Sequence, residues 1–207
     1  ACGASSHFAT AERQYRFPLE MGCQRPPTAQ RTVTGAGCSI LSLHGDSNIH
    51  ITSATIGRII DWKIDDANNM GAVMATSAAD TLSCHFKNTK TCPEDYDLII
   101  TGDLGFHGKE LCQKIINEEH GITLGANYTD CGCEIFTKDM GVDCGGSGCG
   151  CSASVLNGYL IEEMKKGKYK KILFMSTGAL LSPTSSMQND TIPGIAHCVV
   201  IERLEGE

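Results

Sequence analysis

No run of 18 apolar residues occurs in the sequence, and no charged stretch followed by an apolar one opens it, so neither a spanning helix nor a signal peptide is expected. Basic residues are also too few for a broad phosphate-tracking surface. Lys and Arg number 17 against 24 Asp and Glu, a net charge of −7, and the lysines gather only at 163–171, which reads as a solvated helix end. Nucleic acid is therefore excluded as a partner, and the protein is expected to be cytoplasmic or peripheral on a membrane. An initial Met is missing too. Ala1 to His7 read like the end of a strand entering a loop, so the chain is expected to be a fragment.

What is present suits one α/β domain: 207 residues, 41% hydrophobic and 20% charged, with enough material for a core. Twelve cysteines would mean a disulfide framework in a small secreted protein. Here they fall inside apparent strands and helices, and most are expected to be reduced and buried. Cys131, Cys133, Cys144, Cys149 and Cys151 invite a metal reading, but zinc sites use Cys-x2-4-Cys pairs and both close pairs here are Cys-x-Cys. Small residues in close packing are the preferred reading, and no metal site is assigned.

Residues 5–30 carry Arg13, Arg16, Arg25, Pro18, Pro26 and Pro27 with little periodicity, and read as a helical turn about Ala9 to Tyr15 followed by a long loop. His7 is the residue singled out there, although a histidine without a visible partner reads first as a surface group. Thr32 to Ser42 and Ile49 to Ile60 are apolar and β-branched around His44-Gly45-Asp46-Ser47-Asn48, which predicts an antiparallel hairpin. Met70, Val73, Met74, Ala78 and Leu82 predict a helix over Ala67 to Phe86. Tyr96 to Thr101 reads as a strand covered on both faces. A second helix follows from about Gly108 to His120, with Gly121 as its stop. Residues 126–137 read as another strand, then come buried strands at Ile172 to Ser176 and Ile195 to Arg203.

Between these lies a glycine-rich stretch, Asp143 to Ser152, feeding a helix whose apolar positions are Ala153, Leu156, Leu160 and Met164 and which ends at Lys165-Lys166-Gly167. Unpaired N–H groups at its start would make a seat for an anion, and small side chains would let a ligand approach the backbone. Strand and helix alternate through the second two-thirds, so helices should cover a sheet with parallel pairs, and ligands sit beyond the carboxyl ends of such strands. Loops at Gly102 to Phe106, Asp143 to Ser152, Thr177 to Thr184 and Ile192 to His197 should converge there, although the last precedes its strand.

Several segments carry a resemblance. Ser5-Ser6-His7, Ala11-Glu12-Arg13-Gln14, Thr32-Val33-Thr34-Gly35, Thr101-Gly102-Asp103-Leu104, Asp130-Cys131-Gly132, Gly145-Gly146-Ser147-Gly148-Cys149, Thr177 to Thr184 and Ile192 to His197 occur in the order found in the stage V sporulation protein AD family, over nearly the whole chain. The chain resembles that family, whose fold is thiolase-like, a layered α/β/α architecture built from two similar halves. The resemblance implies that 1–62 ends a first half, as loop and hairpin, and that 63–207 is a second half, with the thiolase-type cysteine upstream of Ala1.

The same resemblance implies a role in binding dipicolinate (pyridine-2,6-dicarboxylate) during its import with calcium into the developing spore, beside SpoVA-type membrane proteins at the forespore inner membrane. No resident cofactor is implied beyond calcium accompanying that ligand, and thiolase-fold proteins commonly form homodimers. A planar dianion needs donors, and the candidates are Gly146, Ser147, Gly148, Ser182, Thr184, His197 and His7. Ser182 and Thr184 read equally as turn formers beside Pro183, and His197 as a satisfied core histidine. Asp103 would repel a dianion and reads as the cap of the second helix, unless it holds calcium or orients a donor. The competing class is an acyltransferase. Related condensing enzymes place a histidine where this chain has Gly102-Asp103 and an asparagine where it has Gly146-Ser147-Gly148, so catalysis is expected to be lost.

Overall fold

The computed structural model describes residues 1–7 and 26–204. The expected turn at Ala9 to Tyr15 and the arginines Arg13, Arg16 and Arg25 lie outside the described residues. In chain order the elements are β1 (Cys2–Ser6), β2 (Arg31–Thr32), β3 (Gly35–Ser39), β4 (Ile49–Ile56), α1 (Met70–Thr89), β5 (Leu98–Thr101), α2 (Gly105–His120), β6 (Tyr128–Asp130), α3 (Cys131–Ile135), β7 (Gly146–Ser147) and α4 (Cys149–Val155). A π turn (Leu156–Leu160) continues α4 into α5 (Ile161–Lys165), followed by β8 (Lys171–Ala179), α6 (Pro183–Met187) and β9 (Gly194–Arg203).

Five strands form one mixed sheet in the order β4-β9-β8-β5-β6, with β5 parallel to β6 and β8, and β9 antiparallel to β8 and β4. β5 is buried along its whole length, as a strand with parallel neighbours and helices on both faces should be. On one face α1 and α2 pack against Ile99, Leu173, Met175, Cys198 and Val200. The α4 to α5 rod covers the other, where Val155, Leu160 and Met164 meet Leu98, Ile100, Ile172 and Phe174. The expected α/β/α layering follows from these two cores.

The helices form where the apolar spacing put them. α1 turns Val73, Met74, Ala78 and Leu82 inward, capped by Asn69, whose side chain accepts from Ala72 N at 3.3 Å. It crosses α2 at a glycine contact: a Cβ on Gly71 would lie 2.4 Å from the Leu104 carbonyl, so only glycine lets the backbones approach this closely. α2 ends as expected at Gly121, left-handed at φ 67°, whose N–H reaches Asn117 O at 3.0 Å.

Two expectations are corrected. The hairpin between 32–42 and 49–60 does not form: β3 pairs antiparallel with β1 (Cys2↔Ser39, Ser6↔Gly35), while β4 joins the main sheet beside β9. β3 lies on α4 through Gly37, where a Cβ would meet the Ala153 carbonyl at 2.2 Å, a non-local contact that turn formers in the sequence do not reveal. The strand expected at 126–137 stops at Asp130, because the Asp130 side chain accepts from Gly132 N at 2.9 Å and starts α3 there.

Candidate functional site

The carboxyl ends of β5, β6 and β8 meet the glycine-rich loop, and two aspartates organise the meeting. Asp130, at the end of β6, is fully buried. Its Oδ2 accepts from the Thr101 hydroxyl at 2.7 Å and Leu104 N at 2.9 Å, and its Oδ1 from Gly105 N and Gly132 N, each at 2.9 Å. One side chain thus caps α2 and α3 together. Burial pushes this carboxyl up to about 7; the Thr101 hydroxyl and the Leu104 and Gly105 amides pull it down, and Asp103 pushes it further up.

Asp103 has a different role from the one expected. It does not cap α2. It reaches across to the glycine-rich loop, where Oδ2 accepts from Gly148 N and Oδ1 from the Thr177 hydroxyl, both at 2.8 Å. Desolvation raises its carboxyl, against the pull of Gly148 and Thr177. The third tie is Gln30, whose Nε2 donates to Asp103 O at 2.7 Å and Gly146 O at 2.9 Å. Two carboxylates and one carboxamide therefore fix the loops at 102–105, 130–132 and 146–148 relative to one another.

The start of α4 is not the open row of amides expected from the sequence. Gly148 N is engaged by Asp103, and Gly150 N donates to Ser6 Oγ at 3.0 Å. A Cβ on Gly150 would meet Ser6 Oγ at 2.4 Å and Gly35 O at 2.5 Å, so the glycine is there for packing against β1 and β3. Gly148, at φ 95°, supplies the left-handed turn into the helix.

The other singled-out residues divide. Gly146 and Ser147 form β7, paired parallel with Arg31 and Thr32. His7 follows β1 in an exposed position, one residue from Ser6. Ser182 caps α6, with its hydroxyl accepting from Ser185 N at 3.0 Å, and Thr184 lies in that short helix, exposed. His197 is not a core histidine. It is exposed on β9, and its Nδ1 accepts from Gly57 N at 3.0 Å. The loops at 102–106 and 143–152 and the start of 177–184 do converge through Asp103, Gly148 and Thr177; Leu180 N meets Pro193 O at 2.8 Å, continuing the β8 to β9 pairing.

Gln30, Ser6 and Thr177 are structural members that sequence reasoning does not single out. Asp130 carries a usable signal, since an Asp two residues before a glycine at a strand end is a cap pattern. Burial pushes the thiols of Cys131, Cys133, Cys144 and Cys151 up, away from the thiolate form. Cys149 is exposed and its Sγ donates to Ser5 O at 2.9 Å. Among the described residues no group of three His, Cys, Asp or Glu side chains could hold a metal ion.

Comparison with known proteins places these features in a lineage. The family described as stage V sporulation protein AD matches residues 1–202. Stage V sporulation protein AD of Bacillus subtilis (strain 168) is 48% identical over 202 residues, 98% of this chain and 59% of that protein, so the chain spans about three-fifths of the relative's length. Among solved structures, a tetronic acid condensing enzyme shows 12% identity and a TM-score of 0.43, over 78% of this chain and 50% of that one. The acetyl-CoA acetyltransferase of Bacillus anthracis shows 15% identity and a TM-score of 0.39, over 75% and 30%.

Proposed function

Since the chain belongs to the stage V sporulation protein AD family, we propose that it serves sporulation as a non-catalytic receptor for dipicolinate, acting in calcium dipicolinate uptake into the developing spore. The observation that supports this reading is the carboxylate already held at the loop: Asp103 on Gly148 N–H and the Thr177 hydroxyl, both at 2.8 Å. One amide and one hydroxyl, at the positive end of a helix, are the donors that one arm of a dicarboxylate needs. The ligand takes this seat when Asp103 turns out, next to Ser147 in the chain.

Calcium does not fit a cage made by this chain. The cation takes six to eight oxygen ligands, and among the described residues no three His, Cys, Asp or Glu side chains come together to supply them. Calcium arriving with dipicolinate would be held by the ligand's own oxygens. SpoVA-type membrane proteins are the proposed partners at the forespore inner membrane, and the protein works as a homodimer. No helix among the described residues is long and apolar enough to cross the membrane itself.

The test is a calorimetric titration of the full-length protein with dipicolinate, beside a Ser147→Trp variant whose indole covers the seat. Saturable heat in the wild type and at least a tenfold loss in the variant support the reading; no heat from folded wild-type protein removes it. Thiolysis of acetoacetyl-CoA by the same preparation would favour the acyltransferase alternative, with its nucleophile upstream of Ala1.

A further inference from the structure

The loops above make no use of His85, which is fully buried on α1 between the helix and the sheet. Both its ring nitrogens have partners at 2.8 Å: Nδ1 meets the Thr55 hydroxyl of β4, and Nε2 meets the Tyr96 hydroxyl. Tyr96 continues to the Thr91 hydroxyl at 3.0 Å, Thr91 to the Thr89 hydroxyl at 2.8 Å, and Thr89 to the backbone carbonyl of His85 itself at 2.7 Å. The hydrogen bonds therefore close a ring that starts and ends on one residue.

That closure fixes where every proton lies. A carbonyl only accepts, so Thr89 gives its single hydroxyl proton to His85 O. Thr89 must then accept from Thr91, Thr91 from Tyr96, and Tyr96 from Nε2–H. Nδ1 is left bare and accepts from Thr55. We propose that His85 is a neutral latch, protonated only at Nε2, that ties α1 to the edge strand β4 and to the 89–96 turn, and that acid opens it. A second proton, on Nδ1, would reverse that contact, so that Thr55 accepts and its own hydrogen must find another acceptor, and would leave a charge in a buried site.

The surroundings oppose that charge. Lys171 of β8 stands 5.1 Å over the Tyr96 ring, paired with Glu202 of β9 at 2.9 Å and near Asp95 of the preceding turn. On β9, burial pushes the Cys198 thiol beside Thr55 up to about 11, so it stays neutral. Cys112 of α2 shares the same core and is pushed up to about 12, while α1 itself adds Cys84 and Lys87, both exposed. Burial lowers the imidazole below its usual range, and Lys171 acts in the same direction. Because the unfolded chain takes up the proton more readily, stability from His85 is present above the unfolded value, about 6.5, and is lost as the pH falls below it.

Two measurements on the full chain test the latch. Long-range proton–nitrogen correlation of the His85 ring near neutral pH is expected to show a single tautomer with hydrogen on Nε2; hydrogen on Nδ1, or a rapidly exchanging mixture, overturns the proposal. Urea unfolding of the wild type and of His85→Gln from pH 7.5 to 5 is expected to show the wild type losing stability to acid relative to the variant, up to tenfold in the ratio of their unfolding constants for each unit by which folding lowers the ring; the opposite contribution of Asp130 is common to both and cancels in that ratio. A ratio that stays constant with pH overturns the acid response. The spectrum of the wild type decides the tautomer even if the variant fails to fold.

Discussion

Asp130→Ala should be among the most damaging single changes in this protein, and the cost can be worked from the hydrogen bonds. The carboxylate is fully buried and answers three backbone amides, Leu104 N, Gly105 N and Gly132 N, besides the Thr101 hydroxyl. Thr101 has a second acceptor, the Thr129 carbonyl at 3.3 Å, and can turn to it; the amides have no other acceptor among the described residues. Three orphaned buried donors at about 1–3 kcal/mol each come to roughly 3–9 kcal/mol, against a typical total stability of about 5–15 kcal/mol. The expected loss in melting temperature is on the order of 10 °C or more. Urea unfolding followed by circular dichroism and by the fluorescence of Trp62, the single tryptophan, measures it.

The same titration carries a pH signature. With Asp130 raised to about 7 in the fold, the folded state binds the proton more readily than the unfolded chain, whose carboxyl titrates near 3.9. The stability linked to this group is therefore full below about pH 4 and is lost as the pH rises through 7, at about 1.4 kcal/mol per unit within that window. Alanine has no such group. The gap between wild type and variant should be widest at about pH 4 and below, and narrower at pH 8. A loss below 1 kcal/mol, or a gap that widens with rising pH, would refute the reasoning.

Gly37→Ala should lift the β1 to β3 ribbon from α4, since the new methyl lies 2.2 Å from the Ala153 carbonyl and 2.6 Å from Asn157 Nδ2. Limited proteolysis should then cut first within 1–40, and an unchanged pattern would count against it. Ser182→Ala removes only a cap on a short exposed helix, so about 1 kcal/mol or less of stability is expected to go. If Ser182 is a cap alone, calorimetry will show dipicolinate affinity unchanged within twofold, and a larger loss would return it to the ligand.

The elements legible in the sequence are those fixed by local spacing. Val73, Met74, Ala78 and Leu82 mark α1, and Gly121 marks the end of α2, because one amphipathic face and one left-handed residue suffice to specify each. Strand partners are less legible. The run containing β3 and the run containing β4 are both apolar and are separated by turn formers, so each fits a hairpin; what separates them is that Gly37 has no side chain and lies against α4, which is distant in sequence. β6 ends early for a similar reason, since the residue that stops it also caps two helices.

The site shows the same division between position and role. That loops after β5 and β8 would meet the glycine-rich stretch follows from topology alone. Which aspartate does what does not, because Asp103 and Asp130 each stand at a strand end and either could cap α2. Asp130 is fully buried and holds Leu104 and Gly105, so Asp103 is free to reach 45 residues along the chain to Gly148. This division of labour bears on the proposed function. Asp130 cannot leave without unmaking three backbone contacts, whereas Asp103 makes one contact to backbone and one to a hydroxyl, both of which an incoming carboxylate can replace. Of the two carboxylates, the exchangeable one occupies the proposed seat and the fixed one holds the frame around it.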